Sequence, residues 1–191
     1  MPNKCGKIVY VVGPSGAGKD TLIEYARTHL PPGAKVRIAR RSITRPKSAG
    51  GEDHIPLTHK EFDELVDSAK FAMHWRAHGN GYGIGAEIRD WLRDGNTVVV
   101  SGSREYLPQA SREFSNLVVM AITVSGAVLR ERLSKRKRES PAEIEERLVR
   151  AERFAIPGGI PTVEVRNDDS SQDAGSAFLR EILKQTSQTS G

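Results

Sequence analysis

The segment from Gly13 to Lys19 constrains the fold more than any other part of the sequence. It reads Gly-Pro-Ser-Gly-Ala-Gly-Lys, directly follows the apolar run 7–12 and precedes residues with helical periodicity. A glycine-rich turn between a strand and a helix lets backbone N–H groups surround phosphate oxygens, and the lysine ammonium reaches the outer phosphates. The sequence therefore predicts a P-loop that binds the phosphates of a nucleotide through Gly13, Pro14, Ser15, Gly16, Ala17, Gly18 and Lys19.

The residue after the lysine departs from the usual P-loop pattern. Asp20 stands where Ser or Thr usually binds magnesium, and Thr21 follows one place late. Asp20 could bind the metal directly or through water, Thr21 could replace it, or the nucleotide and water could hold most of the ion. A carboxylate in a first helical turn also complements the helix dipole, so that simpler role stays open. We expect ATP and Mg²⁺ as cofactors, with Asp20 and Thr21 at the nucleotide site and as candidate metal ligands.

The rest of the chain alternates predicted strands with predicted helices, which indicates an α/β fold with a parallel sheet covered by helices. Capping boxes at Thr58–Glu61 and Ser140–Glu143 open two of the helices, and the segment 40–56, rich in Gly, Arg and Pro, is predicted as a long functional loop. The remaining strands are predicted at 35–39, 71–78, 97–100, 117–123 and 162–166, with helices at 86–93, 105–114, 127–137 and 172–184. Residues 1–185 are expected to form one domain, and 186–191 a disordered tail.

Charge and composition restrict the partners. The 29 Lys and Arg against 24 Asp and Glu give a net charge of +5, which suits polyanionic ligands. The basic residues concentrate at 37–47 and 130–138 without interleaved aromatic residues, which favours a compact phosphate site over a nucleic-acid track. The longest apolar runs, 8–12 and 98–100, are too short to span a membrane, and the single cysteine, Cys5, is typical of a reducing compartment. We expect a cytoplasmic protein without nucleic-acid or membrane partners; its oligomeric state is left open.

The order of motifs resembles the guanylate kinase family over nearly the whole chain. The matching segments are the P-loop, 42–46, 51–53, 71–75, 78–83, 129–139, 147–151 and 167–169. The resemblance implies a P-loop NTPase fold with a small acceptor-binding region at about 40–85 and an Arg-rich lid at about 130–150. It also implies that Arg45 and Tyr82 hold the acceptor phosphate and that Asn167 belongs to the nucleotide site.

The lid and the P-loop lysine are the predicted catalytic groups. A phosphate acceptor is already ionised, so the reaction needs positioning and charge neutralisation more than a general base. Lys19, Arg136, Arg138 and Arg147 are the candidates for neutralising the transferred group. A solvated helix face, with pairs such as Glu143 and Arg147, is the alternative role for each lid arginine.

The acceptor site departs from guanylate kinases at the residues that read guanine. Where that family has Ser and acidic residues, this chain has Arg41, His74, Ser101 and Ser103, with Arg104 adjacent. Such a site suits a second anionic group better than a guanine edge. Together with the segments 13–21, 44–46, 50–54 and 77–79, it resembles the bacterial ribose 1,5-bisphosphate phosphokinases of phosphonate breakdown. That resemblance implies transfer of the ATP γ-phosphoryl to ribose 1,5-bisphosphate, giving 5-phosphoribosyl 1-diphosphate (PRPP).

Other functions stay open at this stage. Guanylate kinase, or another nucleoside monophosphate kinase, is the alternative enzyme, whereas a catalytically silent interaction module has no need of Lys19 and an intact glycine loop. The histidines are candidates for hydrogen bonds to sugar or phosphate, or for purely structural roles. Glu52 and Asp53 could hold ribose hydroxyls or magnesium-bound water, or form an ordinary turn. The predicted substrate-binding residues are Arg41, Arg45, Glu52, Asp53, His54, His74, His78, Tyr82, Ser103 and Arg104.

Overall fold

The computed structural model describes residues 5–49, 52–135, 140–152, 155–168 and 170–187. The strands are β1 (Ile8–Val12), β2 (Val36–Ile38), β3 (Arg41–Ile43), β4 (Ile55–Pro56), β5 (Phe71–Ala77), β6 (Asn80–Gly85), β7 (Thr97–Ser101), β8 (Leu117–Thr123) and β9 (Thr162–Arg166). The helices are α1 (Lys19–His29), α2 (His59–Asp67), α3 (Ile88–Arg93), α4 (Leu107–Glu113), α5 (Gly126–Lys135), α6 (Pro141–Glu152) and α7 (Ser171–Ser187).

The main sheet has five parallel strands in the order β2-β7-β1-β8-β9. Its central strand β1 is fully buried, as a strand covered on both faces should be. Val9 and Val11 face α1 and α7, whereas Ile8, Tyr10 and Val12 face α3 and α4. The predicted parallel sheet covered by helices is therefore confirmed, with the P-loop at the carboxyl end of its central strand.

A second sheet, in the order β4-β3-β6-β5, lies within the segment 40–85, whose acceptor-binding role stays a prediction. The prediction of a continuous loop at 40–56 is wrong in part, because this segment contains β3, β4 and a short 3₁₀ turn at Lys47–Ala49. Strands of three and two residues are too short to show periodicity in the sequence. The strand predicted at 71–78 ends one residue earlier, at Ala77, and Asn80 already opens β6.

Helices α5 and α6 pack on each other through four buried residues, Leu129, Leu133, Ile144 and Leu148. The capping box of α2 is confirmed by reciprocal bonds between Thr58 and Glu61. At the start of α6 the Ser140 backbone N–H donates to the Glu143 carboxylate at 2.7 Å, as that pattern predicts.

The last helix is longer than predicted. It runs to Ser187, and Gln185 is buried, so the tail prediction is wrong for 186–187, while 188–191 lie outside the described residues. Among the residues that the structure describes, no helix is both long and apolar enough to cross a bilayer.

Candidate nucleotide and acceptor site

The P-loop conformation depends on glycines at three positions. Gly16 and Gly18 have φ angles of +94° and +84°, a region that residues with a Cβ rarely adopt. At Gly13 a Cβ would lie 2.7 Å from the carbonyl oxygen of Ile122 on β8. The loop therefore has the tight shape expected of a phosphate cradle, and the N-terminus of α1 follows directly.

Asn167 braces this loop from the end of β9. Its Nδ2 donates to the Ala17 carbonyl oxygen at 2.6 Å, and its backbone N–H donates to Thr123 O at 2.8 Å. The side chain is buried, and a Cβ on Gly18 would lie 2.5 Å from its Nδ2. The residue predicted at the nucleotide site thus acts on the loop backbone, and holds it in the shape that receives phosphate.

Lys19 lies folded back over the loop. Its Nζ donates to the carbonyl oxygens of Gly13 and Pro14 at 2.9 and 3.0 Å. Burial lowers the pKa of this ammonium to about 8. This buried ammonium is suited to binding an anion, because phosphate oxygens would replace its bonds to neutral carbonyl oxygens with stronger bonds between opposite charges.

The charges around Lys19 show which side chains converge on the site. Arg41 and Arg104 lower the pKa of the Lys19 ammonium further, whereas the carboxylates of Asp20 and Glu52 oppose that effect. Arg41 comes from β3 and Arg104 from the segment after β7, so the two sheets together bring cationic groups towards the lysine. This arrangement favours a polyanionic ligand between the P-loop and the second sheet.

Arg41 is held in a defined orientation. Its Nε donates to Glu52 Oε2 at 2.8 Å and its Nη2 to Glu52 Oε1, and the two side chains are only 13% and 14% exposed. The guanidinium lies 5.4 Å from the centroid of the Tyr82 ring, which in turn stacks on Trp75. Glu52, predicted to bind substrate, is thus engaged in orienting an arginine. Asp53 pairs with Arg40 in a more exposed position, at 2.9 Å.

The end of β7 and the segment after it carry the neutral and basic residues Ser101, Ser103 and Arg104, which the resemblance predicts in place of acidic base readers. Ser101 is buried, and its Oγ has no hydrogen-bond partner among the described residues. The Ser103 carbonyl oxygen accepts a bond from the buried Tyr10 hydroxyl at 2.9 Å, which fixes the start of the segment. Burial and the nearby Arg150 lower the pKa of Arg104, so a second arginine from α6 approaches the same place.

The structure gives the three predicted histidines different surroundings. His54 is buried, and its ring nitrogens lie 3.0 and 2.9 Å from the carbonyl oxygens of Glu52 and Arg45, so its ring holds the loop together, which is the structural role that the sequence left open. His74 lies on β5, whereas His78 lies in the turn after β5 with a φ of +50°, and substrate binding by these two stays a prediction. Both are exposed.

Comparison with known proteins decides the family. No protein-family model matches the chain. It is 45% identical over 175 residues to the ribose 1,5-bisphosphate phosphokinase PhnN of Thiobacillus denitrificans, which covers 92% of each chain. The PhnN protein of Chromobacterium violaceum is 47% identical over 180 residues, covering 94% of this chain and 95% of that one. The chain belongs to the PhnN family.

This PhnN-family chain is a kinase that uses ATP, as its P-loop and its relatives indicate. Among solved structures, guanylate kinase from Anaplasma phagocytophilum superposes with a TM-score of 0.66 at 16% identity, covering 97% of this chain and 89% of that one. The likeness shows the fold, and so confirms the guanylate-kinase-like architecture predicted from the motifs.

Of the three arginines predicted for a lid, the structure describes one, Arg147. Arg147 on α6 donates from Nη1 to Ser15 Oγ at 2.8 Å, which connects α6 to the P-loop. Arg136 and Arg138 lie outside the described residues, so their catalytic roles stay predictions. Glu143, which the sequence offered as a partner for Arg147, accepts a bond from the Ser140 backbone N–H at the start of α6.

Two further arginines of this PhnN protein were not predicted from the sequence. Arg132 on α5 lies with Nη1 3.5 Å from the Ala17 carbonyl oxygen. Arg150 follows Arg147 by three residues, which places both on neighbouring positions of one helix face. That spacing is the signal that could have indicated Arg150; Arg132 precedes the buried Leu133 and had no comparable signal.

The metal candidates of this PhnN protein lie at the start of α1. Asp20 and Thr21 are exposed in its first turn and line a groove together with Asp53. Within the described ranges, no three His, Cys, Asp or Glu residues form a metal-binding group.

Proposed function

We propose that this protein transfers the γ-phosphoryl group of ATP to the 1-phosphate of ribose 1,5-bisphosphate, giving PRPP and ADP. The names of its PhnN relatives support the substrate, and the convergence of Arg104, from the segment after β7, with Arg150, from α6, is the observation that carries the proposal. Such a reaction belongs in the cytoplasm, in phosphonate degradation, where both ATP and sugar phosphates occur.

The donor side of the reaction rests on the P-loop. Lys19 would exchange its bonds to Gly13 and Pro14 for bonds to the β- and γ-phosphates. Arg147, tied to Ser15, lies where it would neutralise charge on the transferred group. Magnesium, with Asp20 or Thr21 as candidate ligands, would supply further charge neutralisation on the phosphates when bound.

The acceptor side must hold two phosphates. Arg45, the predicted ligand of the first, has an Nε that is buried without a hydrogen-bond partner in the described part of the chain, so it has a bond to offer. Arg104 and Arg150 approach each other closely enough for Arg150 to lower the pKa of Arg104. Two like charges held together in this way are stabilised by an anion between them, and the second phosphate of the sugar would be that anion.

The same segment disfavours guanine. A guanine edge presents N–H donors, which require acceptors such as carboxylates. The Glu52 carboxylate is already bound to Arg41, and the segment after β7 offers Ser103 and Arg104. A guanidinium has only N–H donors, so it supplies no acceptor for the guanine edge, which costs affinity for guanine.

Steady-state kinetics with ATP, magnesium and ribose 1,5-bisphosphate test this assignment. We expect Arg104→Gln and Arg150→Gln each to raise KM for the sugar bisphosphate at least 10-fold, while KM for ATP changes less than 3-fold. Arg112→Gln, an exposed arginine on α4, serves as the matched control. Unchanged KM in both variants would refute the second-phosphate site, and absence of PRPP in the wild-type reaction would refute the function itself.

A further inference from the structure

P-loop enzymes usually hold magnesium with one hydroxyl and one carboxylate. The hydroxyl follows the P-loop lysine, and the carboxylate comes from a neighbouring strand of the sheet. In this chain the residue after Lys19 is Asp20, and the strand paired with β1 ends at Ser101. A carboxylate and a hydroxyl are therefore both present, but in exchanged positions. The Asp20 carboxylate stands where a hydroxyl is usual, and the Ser101 hydroxyl stands where a carboxylate is usual.

Register and side-chain direction place Ser101 beside the P-loop. It pairs with Val11, two residues before Gly13, and the Gly102 backbone N–H donates to the Val11 carbonyl oxygen at 3.0 Å. Side chains alternate along a strand, and Val99 packs in the cluster that contains α1. Ser101 therefore lies on the face of the sheet that α1 covers, at the end where α1 begins.

The Ser101 hydroxyl is an orphan. The residue is 5% exposed, and its Oγ is buried without a hydrogen-bond partner among the described residues. Buried hydroxyls almost always have a partner, so an unsatisfied one at a ligand site indicates a group that arrives later. An oxygen ligand for a hard cation, or a water bound to that cation, fits this requirement.

Asp20 supplies the complementary observation. It lies exposed in the first turn of α1, and the described structure gives its carboxylate no hydrogen bond or ion pair. It nevertheless lies close enough to Lys19 to raise the pKa of that ammonium. Glu24, one turn further along, pairs with Arg27 at 3.2 Å. Among the described residues, the carboxylate that directly follows the P-loop lysine thus has no bound partner, while the next carboxylate along the helix has one.

We propose that magnesium is held here by an exchanged ligand pair, the Asp20 carboxylate and the Ser101 hydroxyl, directly or through bound water. The exchange keeps one carboxylate and one hydroxyl at the site, and so keeps its net charge. This inference depends on the proposed function in one respect only, since it assumes that the nucleotide binds as its magnesium complex. Thr21 then has no metal-binding role.

The test is the ratio of ADP affinities with Mg²⁺ and with EDTA, measured by calorimetry. Wild-type protein should bind ADP at least 10-fold more tightly with Mg²⁺. Asp20→Asn and Ser101→Ala should each reduce this gain to less than 3-fold while leaving the EDTA affinity within 3-fold of wild type. The double variant Asp20→Ser, Ser101→Asp, which restores the usual order, should recover the gain.

Two matched controls separate metal binding from structural damage. Thr97→Val removes a buried hydroxyl from the same strand and face at its far end, and Glu24→Gln removes the next carboxylate along α1. Both should keep the full magnesium gain. Thermal unfolding checks that every variant is folded, and electron paramagnetic resonance of Mn²⁺ with ADP should show a changed spectrum in Ser101→Ala only if the hydroxyl belongs to the metal site.

A Ser101→Ala protein with the full magnesium gain and an unaltered Mn²⁺ spectrum would overturn the exchanged pair. So would loss of the gain in Thr21→Ala together with its retention in Ser101→Ala, because Thr21 would then be the hydroxyl ligand. Neither result depends on the acceptor. A protein that binds magnesium nucleotide as described but makes no PRPP would refute the proposed function and leave this inference standing.

Discussion

Replacing Asn167 by alanine should loosen the P-loop. The lost bond joins the buried Asn167 Nδ2 to the Ala17 carbonyl oxygen at 2.6 Å. Among the described residues, its removal leaves that oxygen with only the distant Arg132 contact at 3.5 Å. A buried acceptor that loses its partner costs about 1–3 kcal/mol. For a domain of this size the midpoint of thermal unfolding should fall by about 2–12 °C.

The same loss should appear in nucleotide binding, because the free protein would no longer hold the phosphate cradle in its bound shape. If binding must restore that shape, ADP affinity should fall by about 5- to 100-fold, the equivalent of about 1–3 kcal/mol. Calorimetry with ADP and thermal unfolding measure the two effects on the same protein.

Asn116→Ala is the matched control. Its Nδ2 donates to the Gly6 carbonyl oxygen at a longer 3.4 Å, at the opposite end of the sheet. It should cost less than about 1 kcal/mol and leave ADP affinity unchanged. If Asn167→Ala lowers stability but binds ADP like wild type, the claim that this side chain presets the P-loop is refuted.

Three further predictions concern the acceptor region, the P-loop and α2. Arg41→Met should lower the free energy of unfolding by about 3 kcal/mol because it strands a buried carboxylate, whereas Arg40→Met should change it by less than about 1 kcal/mol; equal losses in urea unfolding would contradict the pairing. Gly18→Ala forces a residue with a Cβ into a φ of +84°, so ADP affinity in equilibrium dialysis should fall about 10-fold or more, and retained affinity would contradict the loop geometry. Bonds from the Thr58 backbone N–H and hydroxyl lower the pKa of Glu61, so its stabilisation is fully present above the ordinary carboxyl pKa and is lost as the pH falls through the lowered value. The difference in urea stability between wild type and Glu61→Gln should therefore shrink on acidification, and a constant difference would show that the charge does not matter.

Much of the main sheet could be predicted because its strands carry strong local signals. β1 is five consecutive apolar residues followed by a glycine-rich turn, and the alternation with helices implies parallel pairing. The second sheet could not be predicted to the same degree. Its strands β3 and β4 have three and two residues, and they form only because β6 pairs with β3 across a long sequence separation.

The site could be predicted where a residue type in a given motif has a single common role. A lysine at the end of a glycine loop has few roles, and the structure places Lys19 over that loop. Histidine is different, since its ring nitrogens bond equally well to substrate or backbone, and only the fold shows that His54 bonds to carbonyl oxygens. Arg132 escaped prediction because its contact with Ala17 joins segments 115 residues apart.

The most direct test of the account is a competition between acceptors in one reaction. The purified protein, with ATP and Mg²⁺, is given equal concentrations of ribose 1,5-bisphosphate and GMP, and ³¹P NMR identifies the new diphosphate. We predict PRPP in at least 100-fold excess over GDP, because the segment after β7 presents Ser103 and Arg104 in place of carboxylates. Formation of GDP as the main product would contradict the account and make the protein a guanylate kinase.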